Sequence, residues 1–473
     1  MSAPLVRPTA AWGEALLVAA AMYALYSLLA LDAFYGDGSF IQTGRAQGEL
    51  LHQSHLLHYA VIAACQWLAR PFAADMFGEL SIAMRICTVA ALLVFHYTLV
   101  TVGCTRAQRL LALVLLGGTG AVLFYATAIE RQAPFLPFAA LAFHALVRCA
   151  EAPGAARGAW LGVAIGGATL VHATGHLLFA LAAPWLLLAR GRAGMRAAVG
   201  ALAVAAVVHV GVVLSAVGLA ALAGGPEALQ SQAQHIAFFA DLAWQHLGFN
   251  LWREWLLPLL PGSVLLPVAA LLRRTRRPAL AVLIAWLPYQ AFTFVTLRDF
   301  DERGAYLAPL ALPLTLVLVR MLPVAALAAA AVVALGTGIG LNREYANAQP
   351  EQPTAAQVDE VLNGGRAVVL FVGSWSLRPI LRHRPGIATV NLLGLSIAAP
   401  FEEACAAFDR GFRTAREAGF TAIISAQCLA DMERDDLPRA ARRFFREHFL
   451  VRYRFAPHRT AGYAYATVTE RTD

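Results

Sequence analysis

Two carboxylates stand just beyond the end of the first apolar stretch of this chain. Asp32 follows the stretch 12–31, and Asp37 lies in the turn Tyr35-Gly-Asp-Gly-Ser-Phe40. Glycines on both sides of Asp37 let the backbone turn tightly and leave the carboxylate uncrowded. An apolar stretch, an acidic turn and then a half-apolar segment rich in histidine suggest a reaction site held at a membrane surface. The alternative is that Asp37 is an ordinary capping residue in a polar loop.

Further ionisable side chains lie at the ends of later apolar stretches. Glu130 and Arg131 separate the third and fourth stretches, and His172 lies between the fifth and sixth. Residues 298–303 read Arg-Asp-Phe-Asp-Glu-Arg. Ionisable groups at membrane spans are costly and are usually functional or paired with each other. Glu130 and Arg131 could instead form an ion pair at a helix end. His172 could be a satisfied helix-end histidine, and 298–303 could be a solvated loop.

The composition is that of a polytopic membrane protein. Of the 473 residues, 59% are hydrophobic and only 14% are charged, whereas a soluble globular chain carries about a quarter charged residues. The net charge of +8 is carried without any lysine, and the arginines cluster between apolar stretches. That pattern follows membrane topology and does not indicate nucleic acid as a partner. The six cysteines show no CxxC or Cys/His spacing typical of a metal site.

About eleven stretches approach the roughly 20 apolar residues that a membrane span needs. They are residues 12–31, 80–103, 108–127, 132–149, 158–173, 175–190, 196–223, 255–272, 278–297, 305–322 and 323–341. The segment 55–69 is apolar but short, and it is better interpreted as an interfacial helix with His55 and His58 off its apolar face. The first stretch lacks a clean cleavage site, which favours a retained helix over a removed signal peptide.

The arginines predict which side of the membrane each loop faces. If 55–69 does not cross, the arginines at six junctions fall on one side, which predicts that the N-terminus is inside. The opposite, outer side then holds the segment 32–79, the Glu130 turn, the His172 turn, the 224–254 loop, the 298–304 loop and the chain after 342. This arrangement predicts an extracytoplasmic C-terminal domain.

After residue 341 the composition becomes that of ordinary soluble sequence. We predict a linker over 342–356 and an α/β domain over 357–473, because strand-like and helix-like segments alternate. The strands are predicted at 368–372, 421–425, 449–455 and 462–469, and the helices at 402–418 and 439–448. No glycine-rich phosphate loop follows a strand, so nucleotide binding is not supported. Cys405 and Cys428 could form a disulfide or remain two buried thiols.

Four motifs occur in an order that is found in a known superfamily. Gly36 to Phe40, running on to Gly44-Arg45-Ala46, looks like an Asp-Glu motif and the helix after it, with Gly38 where a second acidic residue is common. The stretch Ser54 to Tyr59 looks like a segment that usually opens with two prolines, both of which are missing here. Glu130 stands where an acidic residue often ends the third span.

The fourth motif is Glu302-Arg-Gly-Ala-Tyr-Leu-Ala-Pro309, which looks like an Arg-Tyr pair before a proline. Ala305 replaces the adjacent arginine, so Arg303 or Arg298 would have to serve. Together, the four motifs make residues 1–341 resemble the GT-C superfamily of membrane glycosyltransferases. The closest likeness is to the protein O-mannosyltransferase and lipid A aminoarabinose transferase type.

The resemblance implies a mainly α fold, with a polytopic helix bundle over 1–341 and a small soluble α/β domain after it. It implies an enzyme of a bacterial inner membrane that moves a sugar from a polyprenyl-phosphate carrier, with inversion, to a glycan, lipid or protein acceptor on the outer face. Membrane lipids would be its surroundings, no cofactor is expected, and a divalent metal is not indicated by the sequence.

The resemblance also implies roles for single residues. Asp37 would be the base that accepts the proton of the acceptor hydroxyl, with Asp32 and Glu130 as further catalytic candidates. The expected substrate-binding residues are Arg303, Arg298, Arg131, His172, His55 and Tyr306. Guanidinium groups are expected on the phosphate because their geometry matches it.

The sequence is also compatible with two other functions. An O-antigen ligase or polymerase would also act on lipid-linked sugar, but it would usually carry a large outer loop between late spans rather than a terminal domain. A transporter or assembly subunit should show broken helices, mid-membrane charges or internal repeats. His144, His209 and Arg85 lie inside apolar stretches, but no repeat is visible.

Overall fold

The structure is a computed structural model that describes most of the chain. The described residues are 8–36, 38–51, 55–224, 247–297, 302–348, 353–362, 364–372, 378–384, 386–433, 437–460 and 463–471. They form two compact units, each discontinuous in sequence. Unit 1 comprises Met1–Asp32 and Glu49–Asn347, and unit 2 comprises Ala33–Gly48 and Ala348–Asp473.

Unit 1 is a bundle of helices. In chain order they are α1 (Pro8–Leu28), α3 (His58–Ala69), α4 (Met76–Thr101), α5 (Arg106–Gly118), α6 (Gly120–Thr127), α7 (Gln132–Glu151), α8 (Ala155–Val171), α9 (Leu178–Gly224), α10 (Leu247–Asn250), α11 (Gly262–Leu271), α12 (Arg276–Leu297), α13 (Ala311–Met321) and α14 (Val324–Ala348). Their shared core is built almost wholly from aliphatic and aromatic side chains.

Not every predicted span is a full-length helix. Five described helices are long and apolar enough to cross a membrane, or six if α5 and α6, bent by 65°, form one broken span. Five shorter apolar helices of 10–17 residues occupy other predicted stretches. The shortest of them, α11, has 10 residues and spans about 15 Å at roughly 1.5 Å per residue, half of the hydrocarbon core. The polytopic character is confirmed, whereas the count of about eleven spans is not.

Glycines allow α8 and α9 to approach each other closely. A Cβ added at Gly158 or Gly162 would lie 2.4 Å from the backbone oxygen of Ala201 or Ala205 on α9. Small residues spaced four apart let two membrane helices bring their backbones together. At the turn after α8, where His172 lies, a Cβ added at Gly175 would lie 2.4 Å from the backbone nitrogen of Thr169.

The junction where α6 ends is tied to two other helices. The Thr127 hydroxyl donates to Asn342 Oδ1 at 2.8 Å, and Asn342 Nδ2 donates to the Leu29 carbonyl at 2.7 Å. The backbone N–H of Leu31 donates to the Thr127 carbonyl at 3.0 Å. The ends of α1, α6 and α14 therefore meet at one end of the bundle, which we call the site end.

Unit 2 is built on a five-stranded mixed sheet in the order β2-β1-β3-β5-β4. The strands are β1 (Ala367–Phe371), β2 (Ala388–Asn391), β3 (Thr421–Ser425), β4 (Tyr453–Thr460) and β5 (Tyr463–Glu470). The first three are parallel, and β5 runs antiparallel to both β3 and β4. The helices are α2 (Gly38–Ala46), α15 (Ala355–Val361), α16 (Arg378–His383), α17 (Leu392–Ala398), α18 (Phe401–Glu417), α19 (Ala426–Met432), α20 (Arg439–Phe444) and α21 (Leu450–Arg452).

The small C-terminal sheet confirms the predicted α/β character, and three of its strands lie where the sequence predicts them. The strand predicted at 449–455 begins only at Tyr453, because residues 449–452 continue the preceding helix. The cysteines of this unit are free thiols. Cys428 Sγ lies 2.9 Å from the backbone nitrogen of Val372, inside the core. The disulfide alternative for Cys405 and Cys428 is therefore wrong, because each thiol is packed separately.

The short segment 33–48 belongs to unit 2 although it follows the first apolar helix. Gln42 Nε2 on α2 donates to the carbonyls of Leu381 and Arg382 at 3.1 Å each. The Arg378 guanidinium donates to the Gly36 carbonyl at 2.6 Å. These hydrogen bonds hold the first polar loop of the chain against the end of α16.

Candidate active site

Glu130 and Arg131 occupy the turn between α6 and α7 at the site end. Glu130 is buried, and its Oε1 accepts a hydrogen bond from the backbone N–H of Arg131 at 2.8 Å. A carboxylate at the start of a helix is favoured by the helix dipole and by unpaired backbone N–H groups. The turn therefore places a carboxylate and a guanidinium next to each other at the start of α7.

His55 and His172 stack on each other at the same end. Their ring centroids lie 4.5 Å apart with the planes 18° from parallel. His55 Nδ1 accepts a hydrogen bond from the backbone N–H of Ala173 at 3.1 Å, which places the proton of a neutral His55 ring on Nε2. The interfacial segment and the turn after α8 are thus joined through two imidazoles.

His172 is surrounded by polar partners but is held neutral. Its Nδ1 lies 2.7 Å from Thr174 Oγ1, and its Nε2 lies 3.4 Å from Gln132 Nε2. Burial, and to a smaller extent the positive charge of Arg131, lower the pKa of His172 to about 3. His172 can therefore donate or accept a hydrogen bond near neutral pH, but it does not supply a positive charge.

The loop before α13 places Arg303 and Tyr306. Arg303 has a positive φ of 50° and is followed by Gly304 at φ 79°. The Glu254 carboxylate accepts from the backbone N–H of Glu302 at 2.6 Å and from that of Gly304 at 2.7 Å. The Tyr306 ring lies 6.2 Å from the His172 ring. This loop therefore reaches the stacked histidines.

The Arg303 side chain is buried against aromatic rings. Its guanidinium carbon lies 5.1 Å from the centre of the Phe124 ring and 5.5 Å from that of Tyr345. Its Nη1 donates to the Leu341 carbonyl at 2.7 Å, and its Nη2 lies 4.0 Å from Glu344 Oε1. Arg303 thus links its loop to α6 and to the end of α14. This structural role is not evident from the sequence motif.

Two of the predicted catalytic carboxylates, Asp32 and Glu130, lie near the end of α6. Asp32 is exposed and directly follows Leu31, whose backbone N–H is bonded to Thr127 at the end of α6. Glu130 lies three residues further along from Thr127, so both carboxylates are at the site end. Asp37 and Arg298 lie outside the described residues.

The structure therefore brings most of the predicted site residues to one end of unit 1. One group surrounds the stacked rings of His55 and His172 and includes Arg131 and Tyr306. The second group surrounds Arg303, which lies three residues before Tyr306 in the same loop. Their roles in substrate binding and catalysis stay predictions.

Several residues of this end were missed by sequence reasoning. Glu254 and Tyr125 both hold the Arg303 loop, since the Tyr125 hydroxyl donates to the Glu302 carbonyl. Gln132 lies against His172. An ionisable residue in the apolar aromatic run 251–256 was a usable signal for Glu254. Nothing in the local sequence marks Tyr125 or Gln132.

Among the described residues, no three His, Cys, Asp or Glu side chains lie close enough together to hold a metal ion.

The fold has counterparts among solved structures. The chain is similar to ArnT from Cupriavidus metallidurans bound to undecaprenyl phosphate, with a TM-score of 0.61, 13% sequence identity and 98% of each chain covered. The apo state of that ArnT gives a TM-score of 0.58 at 13% identity, covering 97% of this chain and 98% of the other. The mycobacterial arabinofuranosyltransferase AftD gives a TM-score of 0.51 at 14% identity, with 97% of this chain but only 40% of AftD covered.

No protein-family model matches the sequence, and no curated protein sequence does. The likeness is therefore one of fold, and it extends over nearly the whole chain, including the residues after 341 for which the sequence offered no counterpart. It confirms the fold that the resemblance implies. The chain has the fold of ArnT from Cupriavidus metallidurans and of mycobacterial AftD.

Proposed function

We propose that this protein is a membrane glycosyltransferase that takes its sugar from a polyprenyl-phosphate carrier. The observation that carries the proposal is the fold shared with ArnT over 98% of both chains, because that ArnT structure holds undecaprenyl phosphate. The ionisable groups gathered at the site end support it, since sugar transfer needs a base and positive charge near the departing phosphate.

In the proposed reaction, Asp37 is the base. An acceptor hydroxyl oxygen attacks the anomeric carbon, its proton passes to the Asp37 carboxylate, and the bond between the anomeric carbon and the phosphate oxygen breaks. The products are the glycosylated acceptor and the polyprenyl phosphate. Direct displacement inverts the anomeric configuration. The acceptor is a glycan, lipid or protein group reached from the extracytoplasmic face of the inner membrane.

Arg131 is the best-supported partner for the phosphate among the described arginines. Its positive charge lowers the pKa of the neighbouring His172 ring. Arg131 is the last residue of the turn between α6 and α7. Arg303 is bonded to Leu341 and stacked on two rings, so it chiefly shapes the loop that carries Tyr306. Arg298 remains a second proposed phosphate ligand from its position in the sequence.

The imidazoles complete the proposed donor site. His172 carries no net charge, which suits a wall beside the sugar rather than beside the phosphate, and its two ring nitrogens are engaged by Thr174 and Gln132. Tyr306 faces the same ring and adds a hydroxyl. His55 extends this surface from the interfacial segment, and Asp32 and Glu130 are the alternative bases at the same end.

The test separates chemistry from donor binding. Asp37→Asn keeps the shape of the side chain and removes its basicity. Purified protein is incubated with a lipid extract of the organism's membranes, and free polyprenyl phosphate is measured by mass spectrometry. We expect its formation to fall at least about a hundredfold, while binding of added undecaprenyl phosphate stays unchanged. Asp431→Asn, at an exposed carboxylate bonded to Gln427, is the matched control.

Arg131→Gln should instead weaken the binding of undecaprenyl phosphate and slow turnover together. Near-normal turnover by Asp37→Asn would remove Asp37 as the base and make Asp32→Asn and Glu130→Gln the next variants. Failure of the unchanged protein to bind undecaprenyl phosphate would overturn the proposed donor class.

A further inference from the structure

A cavity of about 560 Å³ lies at the opposite end of the unit 1 bundle from the candidate active site. Four arginines line it: Arg273, Arg274, Arg277 and Arg320. The 20 residues of α7 run from the turn of Glu130 to this cavity. At about 1.5 Å per residue, α7 separates the two places by roughly 30 Å, about the thickness of the hydrocarbon core. We call this cavity the arginine pocket.

The lining of the arginine pocket carries four guanidinium groups against one carboxylate. The one carboxylate in its lining is Glu151, which is bonded to Arg148 at 2.8 Å. Within the described ranges, no carboxylate forms an ion pair with any of the four lining arginines. Other arginines of this region are compensated: Arg106 lies 2.9 Å and Arg109 3.7 Å from the oxygens of Glu14.

Two further features raise the positive potential in the arginine pocket. Helix α12 begins at Arg276, so the partial positive charge of its N-terminus is added to the guanidinium groups. The buried ring of Trp185 forms part of the wall and excludes water from that side. Charges that share a partly enclosed space repel each other more strongly than charges in bulk water. A ligand with several negative charges would relieve that repulsion.

The surroundings of the arginine pocket favour a lipid as the ligand. Leu271 and Leu272 directly precede Arg273, and their side chains are 83% and 44% exposed. A guanidinium cluster beside exposed apolar side chains offers a place for a phosphate headgroup and a surface for its acyl chains. Guanidinium groups match phosphate geometry, so four of them can engage two phosphates at once.

We propose that the arginine pocket binds the headgroup of an anionic membrane lipid that carries two phosphates. The simpler interpretation is that these arginines only set the membrane topology. The two interpretations differ at a pair of exposed neighbours, because Arg277 lines the cavity and Arg276 does not. As topology signals, the two arginines are equivalent.

The experiment measures lipid binding to the full-length protein in dodecylmaltoside micelles by native mass spectrometry. Diphosphatidylglycerol, phosphatidylglycerol and inorganic pyrophosphate are the probes. We expect diphosphatidylglycerol to bind more tightly than phosphatidylglycerol, and pyrophosphate to compete with it. Arg277→Gln should weaken diphosphatidylglycerol binding about ten- to a hundredfold, the effect of losing one charged hydrogen-bond partner. Arg276→Gln should leave binding within about twofold of the unchanged protein.

Arg320→Gln serves as the second variant, because it approaches the cavity from the end of α13 rather than from the loop before α12. It should weaken binding like Arg277→Gln. Equal effects of Arg276→Gln and Arg277→Gln would overturn the proposal in favour of non-specific attraction. Binding of pyrophosphate without binding of diphosphatidylglycerol would overturn the assignment to a lipid.

Discussion

Glu254 accepts hydrogen bonds from the backbone N–H groups on both sides of Arg303. Its two oxygens lie 2.6 Å from the nitrogen of Glu302 and 2.7 Å from that of Gly304. Arg303 itself adopts a left-handed backbone conformation, which costs a non-glycine residue about 1–3 kcal/mol. A fully buried carboxylate therefore holds a strained turn in place, and through that turn it places the Tyr306 ring near His172.

Glu254→Gln should destabilise the protein, because a glutamine offers only one oxygen for two backbone donors. The second donor would face an amide NH₂ group and stay unsatisfied, which costs about 1–3 kcal/mol. We expect a lower midpoint of thermal unfolding in detergent and slower sugar transfer. Glu447→Gln is the control, because its carboxylate is exposed and pairs with Arg443 at the surface. Equal effects of the two substitutions would show that the backbone hydrogen bonds of Glu254 contribute little.

The stability of the protein should fall as the pH drops below about 6.5, with His172 as one cause. Its folded pKa is about 3, below the ordinary value of 6.5, because of burial and the nearby Arg131. The unfolded chain therefore binds a proton that the folded chain excludes, and each pH unit below 6.5 removes up to about 1.4 kcal/mol. Thermal midpoints measured between pH 7 and 4 test this expectation.

His172→Gln is the comparison for that measurement. It removes the titrating ring and should flatten the part of the pH dependence that His172 contributes, leaving the parts due to other groups. Arg131→Gln should raise the pKa of His172 and shrink the same contribution. If the profile of His172→Gln runs parallel to that of the unchanged protein, the ring is not held neutral.

Arg378→Gln should slow sugar transfer without weakening the binding of undecaprenyl phosphate. Arg378 donates to the carbonyl of Gly36, the residue directly before the proposed base. Misplacing a reacting group by a fraction of an ångström lowers the rate, and we expect a fall of about tenfold in turnover. Arg378→Lys keeps one donor and should recover part of it.

The control for Arg378 is Arg384→Gln, which breaks an exposed ion pair with Asp359 in the same unit. It should leave turnover unchanged, since exposed pairs contribute about 0–1 kcal/mol. Unchanged turnover by Arg378→Gln as well would mean that this hydrogen bond does not position the loop.

Asp409→Asn should destabilise unit 2 more than any loss of a surface charge. One carboxylate accepts from the hydroxyl of the buried Tyr453 at 2.7 Å and contacts His448 Nε2 at 2.8 Å and Arg452 Nη1 at 2.6 Å. Losing a hydrogen bond to a charged group costs about 1.5–3 kcal/mol. Hydrogen exchange of the strands would report the loss, with Asp359→Asn as the control. Equal protection in the two variants would contradict the prediction.

The sequence predicted those features that depend on local pattern. The turn of Glu130 and Arg131 lies between two helices, as the apolar stretches indicated, and β1 and β3 lie on their aliphatic runs. Strand β2 was missed because three of its four residues are exposed, so it shows no apolar run or alternation.

Contacts between distant residues could not be predicted. Glu254 and Glu302 are 48 residues apart, and only the folded chain shows that the carboxylate of the one holds the backbone of the other. The placement of residues 33–48 in unit 2 was missed for the same reason. Contacts between segments far apart in the chain produce no periodic pattern of apolar and polar residues, so they cannot be recognised in the sequence.

That placement has a consequence for how the protein is made. Gly36 and Arg378 are separated by 342 positions, and at about 5–20 residues per second their synthesis is separated by roughly 17–70 s. During that interval helix α2 emerges without its partner, while the later helices of unit 1 are still being inserted. The nascent chain must therefore keep the loop that carries the proposed base undocked until the last quarter of the protein has been translated. A truncated chain would never acquire that contact, and so the order of synthesis itself delays completion of the loop until the polypeptide is nearly whole.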